Sequence, residues 1–362
     1  EDVSERFQIP QKLYGRQTEI NRLLEHFNKV ADGTPQLLSI CGYSGVGKSA
    51  LMQEVHKPIA AHNGVFLSGK FDQFQRNIPY SAFHQILKSW LLKMLSLSEN
   101  SLQRQRDRIN KTLGANARVL IDFMHEFQTL LGDLPEVPVL GADETQNRFH
   151  IVFLKLITLI AEDRPLVICI DDLQWADHGS LNLLPLLMRE ADCRLLIILA
   201  YRDNEVDAAH PAIQCLKKIT DNNADCISSL SLGPLSVQHI QLLLIDSLHR
   251  PVEEVQSLAK LVHQKTGGNP FFINEFLKTL YREALLDFDL AQHRWLWDVE
   301  AINDKGITDN IVELMLDKMQ QLPESTQKML RLASCIGSRF DIGLLAIVAE
   351  QKEIQVTYVL WP

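Results

Sequence analysis

Apolar and polar positions alternate in two different rhythms along this chain. Four short runs are apolar at nearly every position: Leu37-Leu38-Ser39-Ile40-Cys41, Val65-Phe66-Leu67-Ser68, Pro165-Leu166-Val167-Ile168-Cys169-Ile170 and Leu195-Leu196-Ile197-Ile198-Leu199-Ala200. Ile227 to Leu232 is a fifth candidate. Strands of this kind are buried on both faces, which predicts a parallel sheet covered by helices on either side. Between the runs, apolar residues recur at spacings of three and four. Ile20, Leu23, Leu24 and Phe27 predict a helix, ended by Asp32-Gly33-Thr34-Pro35. A second helix is expected from about Lys48. Residues 81–161 read as mostly helical, with an exposed charged stretch from Arg104 to Lys111 and a loop rich in Pro and Gly around 132–142. From Ser236 one helix follows another. The exception is Leu285 to Asp298, where Phe288 and Trp295-Leu296-Trp297 flank polar Asp289 to Arg294 as in a hairpin. Boundaries are expected near 233–236 and near 305, where Lys305-Gly306 interrupts. The resulting map is a linker at 1–12, an α/β core with a five-stranded parallel sheet at 13–232 carrying a helical insert at about 81–161, a helical part at 233–305, and a last segment at 306–362.

Length changes that picture little: 362 residues fit two to three domains. A content of 46% hydrophobic and 22% charged residues excludes a disordered or fibrous chain. Lys plus Arg number 36 against 45 Asp plus Glu, a net charge of −9 that gives no global footprint for nucleic acid or an anionic membrane. No stretch approaches the roughly 18 consecutive apolar residues of a membrane helix; Ile151 to Ala161 is interrupted by Lys155. The start, Glu1-Asp2-Val3-Ser4-Glu5-Arg6, has neither an initiator Met nor the order of a signal peptide, and the end is abrupt at Val359-Leu360-Trp361-Pro362. A piece of a longer, soluble, cytoplasmic protein is expected. Cysteines 41, 169, 193, 215, 226 and 335 form no C-x-x-C pair and read as buried thiols in a reducing compartment.

The candidate chemistry begins directly after the first strand. Gly42-Tyr43-Ser44-Gly45-Val46-Gly47-Lys48-Ser49, followed by Ala50, matches G-x-x-x-x-G-K-[ST]. Glycines let the backbone curl so that successive N–H groups point at phosphate oxygens, and the helix that follows adds its positive end. Lys48 would reach the β- and γ-phosphates, and the Ser49 hydroxyl would be a Mg²⁺ ligand. A chance match somewhere in such a chain is on the order of one to two per cent, and the required strand before and helix after are both predicted.

The third strand ends in Asp171-Asp172, at the edge where ligands bind in open α/β sheets. Asp171 would hold the metal, and Asp172 would orient or deprotonate an attacking water; the alternative for either is capping the next helix. In the continuation Leu173-Gln174-Trp175-Ala176-Asp177, Trp175 reads first as packing, and Asp177 either caps a helix entered near Ser180 or supports the site. The fourth strand ends in Tyr201-Arg202-Asp203. Arg202 would face the same crevice and sense the γ-phosphate, or be spent in an ion pair with Asp171, Asp172 or Asp203.

Taken together, Tyr14-Gly15-Arg16-x-x-Glu19, the glycine loop, the Asp171 to Asp177 segment, Arg202 and Gly233-Pro234-Leu235 resemble the STAND class of signal-transduction ATPases, P-loop NTPases related to AAA+ proteins. Ser68 to Gln73, Arg76-Asn77-Ile78-Pro79-Tyr80-Ser81, Tyr201 to Val206 and Thr266-Gly267-Gly268-Asn269-Pro270-Phe271-Phe272 resemble the ATPase module of bacterial, especially cyanobacterial, multidomain sensor kinases. The resemblance spans about 7–350. It implies ATP and Mg²⁺ as ligands, with Tyr14, Gly15 and Arg16 near adenine and ribose, Pro234 against the adenine, and Arg202 as the sensor arginine. It further implies a helical lid at 233–305, the start of a winged-helix-like domain from Ile307, and kinase and sensor domains attached in the same polypeptide. The turn here is Gly233-Pro234 without an intervening residue, and Asp171-Asp172 stands where typical AAA+ ATPases carry Asp-Glu, a departure that fits slow turnover. The resemblance places the Gly268-Asn269-Pro270 turn in the lid near the nucleotide; the residues themselves read first as a helix start, with Asn at the cap and Pro at the first helical position.

The sequence therefore predicts an ATP-binding regulatory switch that hydrolyses ATP slowly, lid and core closing on ATP·Mg²⁺. Its rivals are a non-catalytic nucleotide-bound scaffold that uses the lid to oligomerise, a small-molecule kinase, and a DNA-loading ATPase. The last is disfavoured by 306–362, where Lys318, Lys328, Arg331, Arg339 and Lys352 face Asp309, Glu313, Asp317, Glu324, Asp341, Glu350 and Glu353, five bases against seven acids. A homo-oligomer is left open.

Overall fold

All five apolar runs form strands in the computed structural model of the chain, which describes residues 7–74, 78–190, 193–222, 226–304, 319–320, 322–337 and 340–361. They are β1 (Gln36–Cys41), β2 (Val65–Lys70), β3 (Leu166–Asp171), β4 (Leu195–Tyr201) and β5 (Ile227–Ser231), joined in one parallel sheet of order β2-β3-β4-β1-β5. Register sets like against like: Leu37 lies between Ile197 and Ile227, and Ile168 between Leu67 and Ile197. Parallel neighbours need long crossovers, and helices supply them. After α1 (Gln17–Ala31), α2 (Lys48–Glu54) and α3 (His56–Ala61) connect β1 to β2. Among the described residues the predicted insert between β2 and β3 holds five α-helices: α4 (Ser81–Leu95), α5 (Glu99–Leu113), α6 (Arg118–Phe123), α7 (Phe127–Leu131) and α8 (Ala142–Asp163). Then α9 (His178–Glu190) and α10 (Pro211–Asn222) lead to β4 and β5. Because β1 and β3 are separated only by β4, their carboxyl ends and that of β4 open on one side of the sheet, as at a topological switch point.

The chain divides into two compact units. One, Thr18–Tyr43 with Lys48–Ser231, is built on this sheet. Its core packs Phe83, Phe127, Phe153, Leu156, Ile168 and Ile197, all fully buried, with Phe83 edge-on to Phe153 at 5.1 Å between centroids. Burying side chains of this size contributes about 1.5–3 kcal/mol each.

The other unit takes Glu1–Gln17, Ser44–Gly47 and Leu232–Pro362. Among its described helices are α11 (Val237–Leu248), α12 (Val252–Thr266), α13 (Pro270–Arg282) and α14 (Val299–Asp304). The predicted hairpin is present as antiparallel β6 (Leu286–Asp289) and β7 (Arg294–Trp297). Leu244, Leu258, Leu277 and Trp295 centre its core. A smaller cluster of Met329, Ala333, Leu345, Ala346 and Val356 joins α15 (Glu324–Ile336), α16 (Ile342–Val348) and α17 (Glu353–Leu360). The expected break at Lys305-Gly306, the winged-helix onset from Ile307 and the Arg76-Asn77 pair lie outside the described residues.

The reading of every cysteine as buried is corrected. Cys169, Cys193 and Cys215 are buried, Cys41 and Cys226 half-buried, and Cys335 exposed, all as free thiols. Cys335 stands two residues after buried Ala333, about 200° round α15 and so on its outer face. No helix among the described residues is long and apolar enough to cross a membrane.

Candidate phosphate and metal site

Chemistry-bearing side chains collect where β1, β2, β3 and β4 end. β1 runs into Gly42 and Tyr43, and α2 begins at Lys48. Gly47 has φ +102°, with open space where a Cβ would stand, so backbone conformation alone demands glycine there. Lys48 is buried, and its Nζ donates to the carbonyls of Gly42 at 2.6 Å and Tyr43 at 2.9 Å. Burial lowers its pKa, against the pull of Asp171. The Ser49 hydroxyl donates to Asp171 Oδ2 at 2.6 Å. One hydroxyl and one carboxylate oxygen therefore share a position beside a lysine.

Asp171 and Asp172 are both buried. Asp172 turns the chain out of β3 with a left-handed φ of +54°, and its N–H bonds Asp171 Oδ1 at 2.9 Å. Its carboxylate is closely attended. Lys70 Nζ lies 2.8 Å from Oδ2, Arg202 Nε 3.4 Å from Oδ1, and Gln174 Nε2 donates to Oδ1 at 2.9 Å. Lys70 also stands 3.7 Å from Asp171 Oδ2. Arg202 pairs with Glu205 at 2.6 Å and lies over the Trp175 ring, 4.8 Å from its centroid, while its N–H donates to Gln174 Oε1 at 3.2 Å. Arg202 thus reaches the site and is spent in ion pairs, two outcomes the sequence left as alternatives. Asp177 is a cap: it accepts from the Ser180 N–H at 2.9 Å and hydroxyl at 2.6 Å, and from the Tyr80 N–H at 3.0 Å.

Lys70 and Gln174 escaped the sequence reading. A signal for Lys70 was present, since a charged residue closing an apolar parallel strand is as unusual as Asp171 closing β3. Register pairs the two directly.

In the other unit, Tyr14 is buried, its hydroxyl donates to Asp246 Oδ2 at 2.8 Å, and Lys12 joins the same carboxylate at 3.0 Å. Gly15 lies against His239, and Arg16 donates to the carbonyls of Val46 and Gly233. Pro234 borders Gly268, and Gly268 accepts from the Leu235 N–H at 2.7 Å. Asn269 caps α13 with Pro270 at its first turn. Of the loop residues, Val46 is buried and Tyr43 is 64% exposed; Ser44, Gly45, Ser49 and Ala50 are also on the surface.

Hard oxygen donors at Ser49 and Asp171 suit Mg²⁺, and the glycine loop with Lys48 suits a polyphosphate. The residues present therefore fit a magnesium-bound nucleoside triphosphate.

Residues 12–198, just over half the chain, match the model of the AAA ATPase domain family. Among curated proteins, hybrid signal transduction histidine kinase G of Dictyostelium discoideum is 31% identical over 99% of this chain. Peroxide stress-activated histidine kinase mak3 of Schizosaccharomyces pombe is 19% identical over 87%, and human adenylate cyclase type 10 is 22% identical over 77%. The chain spans 12%, 15% and 17% of the length of these three relatives. Among solved structures, a STAND protein with a tetratricopeptide repeat sensor from Pyrococcus horikoshii is similar at a TM-score of 0.46 and 15% identity, over 98% of this chain and 40% of that one. The Orc1 protein of Aeropyrum pernix, solved in complex with DNA, gives 0.42 and 14%, over 97% and 83%. The domain match runs through the glycine loop and the acid pair alike, and the chain belongs to the AAA ATPase domain family.

Proposed function

We propose that this chain is an ATP-binding, slowly ATP-hydrolysing switch module of a larger signal-transduction protein. The observation that carries the reading is the 2.6 Å contact between Ser49 and Asp171 beside buried Lys48, one strand away from Arg202. In this reading Lys48 binds the β- and γ-phosphates, Ser49 and Asp171 hold Mg²⁺, Asp172 prepares water, and Arg202 reads the γ-phosphate. Bound Mg²⁺ would neutralise phosphate charge and fix phosphate orientation. Residues 13–232 serve as the ATPase core, 233–305 as the lid, and 306–362 as the winged-helix-like segment. Likeness to stretches of histidine kinases supports attached kinase and sensor domains as the recipients of the signal; nucleotide state then biases a two-state element that those domains read.

One observation favours a second reading, a nucleotide-bound scaffold without turnover. Lys70, Arg202 and Gln174 all crowd the Asp172 carboxylate, so much of its negative charge is already matched by cations in this arrangement. ATP turnover by the purified chain separates the two. Asp172→Asn should cut kcat by roughly a hundred- to a thousandfold, the loss typical of one key catalytic group, with ATP still bound. Lys48→Ala should abolish binding without unfolding the chain. Tight ATP or ADP with no turnover in wild type, together with assembly that does not depend on nucleotide, would support the scaffold, and intact ATP affinity in Lys48→Ala would overturn the site itself.

A further inference from the structure

The four middle residues of the glycine loop belong to the unit that holds α11 to α14. Three successive carbonyls of that stretch are each gripped by a donor from elsewhere in the unit. Asn269 Nδ2 donates to Ser44 O at 2.9 Å, the Phe271 N–H to Gly45 O at 3.2 Å, and the Arg16 guanidinium to Val46 O at 3.2 Å. Arg16 is itself buried, and the same guanidinium nitrogen donates to Gly233 O at 2.5 Å.

A planar trans peptide points its carbonyl and the next residue's N–H in opposite directions, and no described peptide is cis. Holding the carbonyls of Ser44, Gly45 and Val46 therefore aims the N–H groups of Gly45, Val46 and Gly47 the other way. Those are groups with which a loop of this sequence cradles phosphate. The fit is close. Gly45 has φ +77°, and a Cβ there would stand 2.8 Å from Asn269 Oδ1 and 2.9 Å from Phe271 Cβ. Asn269 does two things at once, since its Oδ1 accepts from the Phe271 N–H at 3.1 Å and caps α13 while its Nδ2 holds the loop. The helix start and the loop contact are one feature.

We infer that Asn269 and Arg16 are positioning residues for nucleotide binding: by clamping the outward carbonyls of the loop they preorganise its phosphate-binding N–H groups. Arg16 thereby acts on the glycine loop rather than on the adenine and ribose. A preordered nest loses less freedom when it binds. The inference rests on the nucleotide-binding reading, and its test keeps the two apart.

Asn269→Ser is the decisive variant, because serine is as good a helix cap and its shorter side chain gives up the reach to Ser44. Arg16→Lys keeps the charge and loses the planar fork. Affinities for ATP, ADP and pyrophosphate with Mg²⁺ should be measured by calorimetry on the whole chain, with the thermal midpoint of the nucleotide-free protein beside them. Each variant should bind all three about 3- to 10-fold more weakly, the range of one lost hydrogen bond, with the midpoint of Asn269→Ser unchanged because its bond to Ser44 is exposed. The backbone order parameters of Gly45 and Gly47 in the nucleotide-free protein should fall below about 0.6. Unchanged affinities and order parameters in Asn269→Ser would overturn the clamp, as would an affinity loss that merely follows a fall in midpoint. Should wild type bind no nucleotide at all, the functional reading fails, and the order parameters still decide the clamp.

Discussion

Lys70 and Arg202 reach Asp172 from the strands on either side of it, β2 and β4. Lys70 also faces Asp171, the proposed metal ligand, so an ammonium occupies space that a divalent cation would otherwise command. Removing that charge should favour the metal. Lys70→Ala is expected to lower the Mg²⁺ concentration that half-saturates ATP binding several-fold, and Lys70→Arg to leave it near wild type. The effect is held to a few-fold because Lys70 is partly exposed and its attraction is screened. A Mg²⁺ titration at fixed ATP checks it, and an unchanged midpoint in Lys70→Ala would remove Lys70 from the site. Lys48, Ser49 and Asp171 were legible in the sequence because fixed spacing ties them to one loop and one strand end. Lys70 carried only the mark of a charge closing a strand; its partner depends on β2 lying beside β3, which no local pattern states. Arg16 and Asn269 were visible as residues but not as contacts. Each acts through a carbonyl far away along the chain, and backbone carbonyls leave no trace in residue identity.

The helical insert is tied down by a small polar network around Tyr80. This residue precedes α4 with φ +58°, gives its N–H to Asp177, and places its hydroxyl 2.8 Å from His150 Nε2 and 3.1 Å from Gln146 Nε2, both on α8. Burial holds the His150 pKa below its ordinary 6.5, so the ring is neutral in the folded chain. The unfolded chain then takes up the proton first as pH falls. The stability contributed by neutral His150 is complete above pH 6.5 and drains away as pH drops through that value toward the folded pKa. Denaturation midpoints at pH 7 and pH 5 should therefore differ more in wild type than in His150→Gln; equal differences would mean that the ring titrates freely. At this scale the strands were read almost to the residue, because runs apolar on both faces have few other uses. Their order was not, since every crossover is a helix and the pattern does not say which way it returns. The breaks between α5, α6 and α7 were also hidden, because short helices joined by three or four residues look like one long amphipathic stretch.

Charge acts over the whole molecule. With 36 basic against 45 acidic side chains, a duplex would meet net repulsion. Fluorescence anisotropy with a 30-base-pair duplex at physiological salt should show no binding, and a steeply salt-dependent isotherm would expose a basic face that the net balance conceals. The order of the sheet has a different consequence. Neighbouring strands lie about 4.8 Å apart, so β4 alone sets the gap between the ends of β1 and β3 at roughly two strand spacings. The three inner strands work as a gauge block whose width cannot drift without spoiling the crevice. Outer β2 brings Lys70 to the acids but does not set that gap, and the added helices hang between β2 and β3. A change in the length of that cassette would therefore leave the distance from loop to acid as it is.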